Sequence, residues 1–267
     1  MRSTNQARIY VLMVLTISFG AILKIVGLEG ILTGSHGVSV EILGAALLLG
    51  TLVSGLLLTG IFDGRNGFKR IIREILVWKA PVIWWLISIF AVPIAIGCSV
   101  LILSPFLSNP LPAMYKTENM LTMILSAAGA GIFVSIGEEI GWTGFLLNKV
   151  RATKSIVRTG VFIGFIWGLW HMVLFIVPDS FSSSIGILTL VMKLFTTLPV
   201  VRIIMIFVYE NTKSFLITTT VHVSFVMSMM LFEPAFTNSE MLIYILTRTT
   251  ILSGFLYLIM KKVAKQG

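Results

Sequence analysis

Three short polar motifs interrupt apolar stretches of the chain and hold its most chemically capable residues. The first contains two adjacent carboxylates, Glu138 and Glu139, followed by the run Ile-Gly-Trp-Thr-Gly. The second ends a Trp-Gly-Leu-Trp run with His171, and the third contains His222. Carboxylates and imidazoles activate water in general acid–base catalysis, and both also bind divalent metals. The motifs therefore predict either a metal ion with an open position beside a carboxylate base, or a metal-free pair that deprotonates water.

The segments that carry these motifs are long and apolar. Hydrophobic residues make up 57% of the 267 residues and charged residues only 12%, which excludes a water-soluble globule. A bilayer core of about 30 Å needs roughly 20 apolar residues per helix. Eight segments meet this length, approximately residues 9–28, 38–61, 81–107, 120–147, 157–177, 185–209, 214–232 and 241–260. The composition thus predicts an all-α, polytopic membrane helix bundle of about eight transmembrane helices, embedded in the lipid bilayer as a multi-pass protein of a cell membrane.

The basic residues predict the orientation of the bundle. Lys and Arg number 20 against 11 Asp and Glu, giving a net charge of +9. An eight-span arrangement places nearly all loop Lys and Arg on one side and only Lys116 on the other, so the positive-inside rule predicts that both termini are cytoplasmic. The basic residues are not interleaved with aromatic stacking residues, so the charge indicates topology and we expect no nucleic-acid partner.

The polar residues within the predicted spans lie at similar depths. At 1.5 Å per helical residue, Glu138, His171 and His222 fall within roughly 7 Å of one another along the membrane normal. Ionisable groups at such depth are costly and usually face the bundle interior. Neighbouring glutamates point about 100° apart on a helix, so Glu138 and Glu139 are expected to meet different partners. The alternative is that both merely pair with basic residues such as Arg202 or Lys193.

Two further expectations concern the contacts between spans. Small-residue stripes in the fourth and fifth predicted spans, which include Gly141 and Gly164, favour close packing of these two helices on each other. The basic residues Lys193, Arg202 and Arg248 lie on different faces or helices and do not predict a shared site. We expect these three residues to pair with Glu138, Glu139 or Glu41, or to reach an interface along their aliphatic stems.

The longest connection on the basic side, residues 63–79, mixes apolar and basic residues after a Gly-rich turn. This pattern is typical of a helix that lies in the headgroup plane. A solvated loop that only fixes the orientation is the equal alternative.

The three motifs, in this order on three separate helices, resemble those of the CPBP family of intramembrane proteases, which includes CAAX prenyl endopeptidases, Abi proteins and bacteriocin-immunity proteins. The resemblance covers about residues 120–230. It implies that Glu138 and His171 activate the attacking water and that Glu139 supports the site. It also implies that His222 binds metal or stabilises the oxyanion.

A metal-dependent version of this mechanism would use a divalent ion such as Zn²⁺, bound by His171, His222 and Glu138; a metal-free version stays open. The function implied is hydrolysis of a peptide bond in a membrane-associated protein or peptide. Residues 1–118 would then supply N-terminal helices and a basic loop, residues 119–232 the protease core, and residues 233–267 a final helix and basic tail. We expect the membrane to be the bacterial plasma membrane.

Two positions depart from the family pattern. Thr143 stands where the first motif often has Arg, and Val226 stands four residues after His222, where the third motif usually has Asn. Loss of one oxyanion donor can cost about 100- to 1000-fold in rate. Ser224 is no simple substitute, because two residues along a helix turn it about 200° away from His222. The alternative function is therefore a catalytically inactive family member that acts as a membrane interaction or bacteriocin-immunity protein.

Overall fold

The computed structural model describes residues 3–34, 37–151, 154–178 and 180–265, and these fold into helices joined by short connections. The helices are α1 (Ser3–Thr33), α2 (Val40–Phe62), α3 (Gly64–Ile75), α4 (Val82–Phe106), α5 (Met120–Val150), α6 (Ile156–Phe175), α7 (Ser184–Thr212), α8 (Phe215–Phe232) and α9 (Asn238–Ala264). All but α3 are long and apolar enough to cross a membrane. The predicted all-α bundle with eight spans is thus confirmed for a multi-pass membrane protein.

Polar side chains fix where the spans begin. Asn119, Ser155, Ser183, Ser214 and Thr237 each precede a helix and accept a hydrogen bond from one of its first free backbone N–H groups. Such capping matters more beside a bilayer than in water, because unpaired backbone groups there have few other partners. These short polar signals set the register in which the site residues enter the bundle.

The spans pack around α7 and α8. Helix α6 lies along α7, α8 contacts both α4 and α5, α2 joins α1 to α5, and α9 contacts α4 and α7. About two thirds of the apolar window of α7, 67%, is buried, the largest share of any described span. Of the three motif-bearing helices, α5 therefore packs directly on α8, and α6 and α8 both pack on α7.

The glycines of α6 pack against α7 and not against α5, the expected partner. A Cβ at Gly164 would collide with Pro199, and one at Gly168 with the carbonyl oxygen of Leu194, both on α7. On α5, Gly141 instead gives room to Tyr10 of α1 and to the backbone of Thr51 on α2. The glycine stripes therefore do not pack on each other. The predicted contact between the fourth and fifth spans is made by side chains instead, since the Trp167 indole donates a hydrogen bond to Glu138.

Two spans contain a wider, π-helical turn. In α5 it covers Trp142–Leu147, directly after the two glutamates, and in α7 it covers Lys193–Thr197, opposite Gly168. Such turns insert one residue into the helical ladder, rotate the side chains that follow, and occur often at functional sites. The turn in α5 carries Thr143, four residues after Glu139.

Residues 64–75 form the amphipathic helix α3, so the helical interpretation of this connection is confirmed, while its position in the headgroup plane stays a prediction. Ile71 is buried against the bundle, whereas Ile72 is exposed. Arg70 donates a hydrogen bond of 2.8 Å to the carbonyl oxygen of Gly144, and Asp63 pairs with Lys149. Helix α3 is therefore tied directly to the π-helical turn of α5.

Candidate active site

The structure arranges the four predicted site residues as two carboxylate–imidazole pairs. The first joins Oε1 of Glu138 to Nε2 of His171 at 3.8 Å, between α5 and α6. The second joins Oε1 of Glu139 to Nδ1 of His222 at 3.0 Å, between α5 and α8. Adjacent glutamates thus meet different histidines, as the helical angle between them predicts.

The side chain of Trp167 lies between the two pairs. Its indole Nε1–H donates a 2.7 Å hydrogen bond to Oε2 of Glu138. Its ring is 5.2 Å from the ring of His171 and 5.1 Å from that of His222, in edge-to-face arrangements. Sequence reasoning did not assign Trp167 a role, although its position four residues before His171 places both on one face of α6.

Glu139 is held by three donors. Besides His222, its Oε2 accepts from Nη1 of Arg202 at 2.8 Å and from the Thr143 hydroxyl at 2.5 Å. The guanidinium carbon of Arg202 lies 4.4 Å from the centre of the Trp167 ring, a cation–π distance. The expected pairing of a glutamate with Arg202 is therefore confirmed for Glu139. Thr143, which stands where the family motif often has Arg, contributes a hydroxyl that donates a hydrogen bond to Glu139.

Burial differs between the two pairs. The side chains of Glu139 and Arg202 are 0% and 1% exposed, and the His222 side chain is 1% exposed. His171 is 13% exposed and its partner Glu138 2%. A water molecule or a substrate can therefore reach the Glu138–His171 pair more readily, whereas the Glu139 cluster is enclosed.

The hydrogen bonds indicate which nitrogen of the His171 and His222 rings carries a proton. Nδ1 of His171 lies 2.8 Å from the carbonyl oxygen of Trp167, and because a carbonyl only accepts, that nitrogen carries the proton. Nδ1 of His222 faces the Glu139 carboxylate in the same manner. When such a ring is neutral, its Nε2 keeps a lone pair that can accept a proton or a hydrogen bond, or bind a cation.

This donor pattern also bears on a metal ion. Histidines that bind a metal usually donate their other N–H to a carboxylate or a backbone carbonyl, which is what Glu139 and the Trp167 carbonyl accept here. Two imidazole nitrogens and the Glu138 carboxylate are donor types that suit Zn²⁺. Among the residues that the structure describes, no three His, Cys, Asp or Glu side chains are gathered as a metal-binding group. The chemistry of the donors fits the ion, and the metal stays a prediction.

Other polar residues of the spans have partners outside this cluster. Arg248 pairs with Glu233, at the start of the connection between α8 and α9, which corrects the expectation of Glu138, Glu139 or Glu41 as its partner. Ser224 donates to the carbonyl oxygen of Ile89 on α4 at 2.7 Å, so it faces away from His222 as predicted.

The fold and the cluster define a multi-pass helical membrane protein with a buried set of carboxylates and imidazoles. Residues 120–228 match the family described as Type II CAAX prenyl endopeptidase Rce1-like. A stretch of 48 residues is 31% identical to CAAX prenyl protease 2 of Methanococcus maripaludis, and it spans 18% of each chain. These matches confirm the predicted resemblance of this segment to CAAX proteases.

Proposed function

We propose that the protein is an intramembrane endopeptidase that hydrolyses a peptide bond of a membrane-associated protein or peptide. The observation that carries this proposal is the Glu138–His171 pair, which is partly accessible and is oriented by Trp167. Because Trp167 occupies Oε2 of Glu138, the oxygen Oε1 is left to act, and it lies 3.8 Å from Nε2 of His171. One water beside the pair could hydrogen-bond to both atoms, which is the geometry that a general base requires.

In the proposed reaction, Glu138 accepts a proton from this water as its oxygen attacks the carbonyl carbon of the scissile bond. The C–N bond then breaks, and the proton held by Glu138 passes to the leaving amine nitrogen. His171 orients the water through Nε2. The products are a new carboxylic acid, which keeps the second proton of the water, and a new amine, so the atoms and charges of water and peptide are all accounted for.

The second carboxylate–imidazole pair, Glu139 and His222, supports this hydrolytic step. Glu139, enclosed with Arg202 and Thr143, holds the Nδ1–H of His222 and so directs Nε2 of that ring away from itself. In the metal-free version of the mechanism, the imidazolium form of His222 would donate from Nε2 to the oxyanion, a contribution that is worth about 100-fold or more in rate in other proteases. Through this arrangement His222 would supply the oxyanion contact that Val226 cannot.

We also propose Zn²⁺ as a cofactor, bound by His171, His222 and Glu138. When bound, it would supply Lewis-acid chemistry to the substrate carbonyl and the attacking water. Metal analysis of the purified protein checks this proposal: about one equivalent is expected in the wild type and little in the His171→Ala, His222→Ala double variant. Equal metal content in both proteins would contradict it.

A second candidate function is favoured by Val226, which has no polar atom at the position where the family usually has an amide. A family member without catalysis would act as a membrane interaction or immunity protein. It would need the fold but neither the Glu138 carboxylate nor the His171 ring. We place either function in the plasma membrane of a bacterial cell.

The experiment compares cleavage of membrane-associated peptides by the wild type, Glu138→Gln and His171→Ala, all purified and reconstituted in vesicles. We expect each variant to lose at least about 100-fold in rate, the lower range of general-base contributions. Glu118→Gln, which removes an exposed carboxylate in the connection before α5, is the matched control and should retain full activity. Cleavage that survives both site substitutions would contradict the enzyme, and a cellular phenotype that survives them would favour the second function.

A further inference from the structure

A small cavity lies beside the active site, between α6, α7, α8 and α9. Its volume is about 70 Å³, and its walls include Phe175 and Phe225. The Phe175 ring is 5.9 Å from the ring of His171, and the Phe225 ring is 6.3 Å from that of Trp167. The cavity therefore shares two aromatic walls with the catalytic cluster.

Three charged side chains line this cavity, and their charges do not balance. Lys193, Arg248 and Glu233 carry two positive charges and one negative charge. Glu233 is already engaged, because it pairs with Arg248 and accepts a 3.1 Å hydrogen bond from the hydroxyl of Tyr244. The cavity thus holds one positive charge in excess.

Lys193 carries that excess. It lies within span α7, in the π-helical turn Lys193–Thr197. In the part of the chain that the structure describes, its ammonium group forms no ion pair within 4.0 Å and no hydrogen bond, whereas its backbone N–H bonds to carbonyls of its own helix. Glu233, which lines the same cavity, is already paired with Arg248. A charge within the hydrocarbon region costs about 2.5 to 3.5 kcal/mol on insertion scales, so an unpaired one usually marks a binding site or an ion pathway.

Arg248 provides a second, independent observation. Its side chain is 4% exposed, and its Nε has no hydrogen-bond partner among the described residues. A buried N–H group without a partner costs about 1 to 3 kcal/mol, and more on a charged group. Both cations of this cavity are therefore short of an acceptor, and an anion would satisfy both.

The size of the cavity limits which anion would fit. A space of about 70 Å³ is several times the 10 to 15 Å³ that one water needs on the same measure, so it admits a group of a few heavy atoms. A carboxylate has this size and two acceptor oxygens. Lys193 would approach it as a point charge and Arg248 as a donor.

We propose that this cavity, lined by Lys193 and Arg248, is a subsite for a carboxylate of the peptide, adjacent to the bond that the active site would cleave. The inference rests on the proposed function, because the ligand is taken to be the peptide that reaches Glu138 and His171. Lys193 is then a residue that determines specificity. The carboxylate comes from either an acidic side chain or the free end of the chain.

Equilibrium binding to the purified, reconstituted protein tests this subsite without depending on cleavage. The probes are three palmitoylated apolar hexapeptides of one sequence: a free acid, its C-terminal amide, and an amide with one internal Glu. We expect the free acid or the Glu peptide to bind the wild type about tenfold more tightly than the plain amide, as a charge-assisted hydrogen bond provides. Whichever of the two is preferred identifies the source of the carboxylate.

Substitutions test whether Lys193 causes this binding preference. Lys193→Gln should abolish the preference, and Lys193→Arg, which keeps the charge, should retain most of it. Lys261→Gln, which removes an exposed lysine near the end of α9, is the matched control and should leave it unchanged. Equal binding of all three peptides to the wild type, or a preference that survives Lys193→Gln, would overturn the subsite.

Failure of the subsite and failure of the enzyme give different results. Cleavage that depends on Glu138 but shows no preference for a carboxylate would overturn the subsite and leave the enzyme in place. A Lys193-dependent preference without cleavage would support the subsite in a protein that binds peptides and does not hydrolyse them. Absence of both peptide binding and cleavage would overturn both proposals.

Discussion

At the residue scale, the indole of Trp167 contacts both imidazoles and one of the two carboxylates. It donates to Glu138, packs edge-on against His171 and His222, and accepts the guanidinium of Arg202 on its face. Four groups from four helices thus depend on one side chain for their relative positions. Since catalytic groups must be placed within fractions of an ångström, such a residue acts by positioning.

Replacing Trp167 with Phe separates its hydrogen bond from its packing. The substitution keeps an aromatic ring between the histidines but removes the N–H donor to Glu138. We expect kcat to fall about 10- to 100-fold, the value of one hydrogen bond to a charged group, with little change in KM. Steady-state kinetics measures both. Trp78→Phe, at an exposed indole, is the control, and an unchanged kcat in Trp167→Phe would show that the donor is dispensable.

Arg202 is expected to matter for stability as well as position. Its removal leaves Glu139 as a charge at 0% exposure, opposed only by His222 and the Thr143 hydroxyl. Breaking a buried ion pair in this way typically destabilises a protein by about 3 to 5 kcal/mol. Thermal unfolding of Arg202→Ala in detergent measures this loss.

Two comparisons make the Arg202 measurement specific. Arg158→Ala, at an exposed site near the start of α6, should change the melting temperature little. Adding Glu139→Gln to Arg202→Ala should restore part of the stability, because the uncompensated charge is then gone. A double variant that is less stable than Arg202→Ala alone would argue against the ion pair as the cause.

The sequence predicts the carboxylates and imidazoles of the site better than it predicts the contacts that position them. Glu138, Glu139, His171 and His222 stand out because ionisable groups are rare in apolar spans. The contact between Arg202 and Trp167 could not be predicted, since it depends on the rotation of α7 against α6. The π-helical turn at Lys193–Thr197 precedes Arg202 and changes that rotation in a way that regular helical periodicity does not indicate.

At the element scale, the close approach of α6 and α7 holds the site together. The stripe of glycines on α6 has the spacing that predicts tight helix packing, but the spacing does not say which helix is the partner. Partner choice depends on the shape of the opposing surface. Here the carbonyl of Leu194 and the ring of Pro199 fill the space that the glycines leave.

Gly168→Ala tests this interface. A methyl group at Gly168 would overlap the carbonyl oxygen of Leu194, and backbone cannot move aside cheaply. We expect a loss of about 1 to 3 kcal/mol from overpacking, measured by thermal unfolding, and a fall in peptide cleavage as His171 shifts. Gly254→Ala on α9 places the same methyl in open space and should be neutral or slightly stabilising. Equal effects at both positions would contradict the packing argument.

Helix α3 offers a pH-dependent test of its docking. Burial raises the pKa of Glu74 above its usual 4.5, although the Tyr209 hydroxyl and the cations Arg70, Arg73 and Lys213 act in the opposite direction. The folded protein therefore holds this proton more tightly than the unfolded chain does. Stability from this group is greatest below pH 4.5 and falls as the pH rises through the raised pKa.

The measurement is the melting temperature of the wild type and of Glu74→Gln between pH 4 and pH 8. The variant should lack this part of the decline, because its amide does not ionise. Glu118→Gln, at an exposed carboxylate, should keep the slope of the wild type. A Glu74→Gln protein with the same slope as the wild type would show that Glu74 is not buried in the docked helix.

At the scale of the whole molecule, the number of spans and the distribution of charge are separate pieces of information. Apolar length alone predicted eight spans, and the helices of the structure agree with the predicted segments within a few residues in most cases. This part was predictable because backbone polar groups in lipid must be satisfied within a helix. The direction in which the bundle crosses the membrane depends instead on the loops.

An even number of spans requires both termini to lie on one side, and the basic residues predict that this side is the cytoplasm. Reporter fusions test the orientation: a fluorescent protein at either terminus should fold and fluoresce, whereas alkaline phosphatase inserted beside Lys116 should be active outside. Substituting basic residues tests whether their charge sets the orientation. Replacing Arg70, Arg73 and Lys79 by Gln should weaken the orientation signal, because these side chains anchor one side of the second and third membrane-spanning helices. A phosphatase active at the C-terminus would mean an inverted bundle, and termini on opposite sides would mean that one apolar helix does not cross.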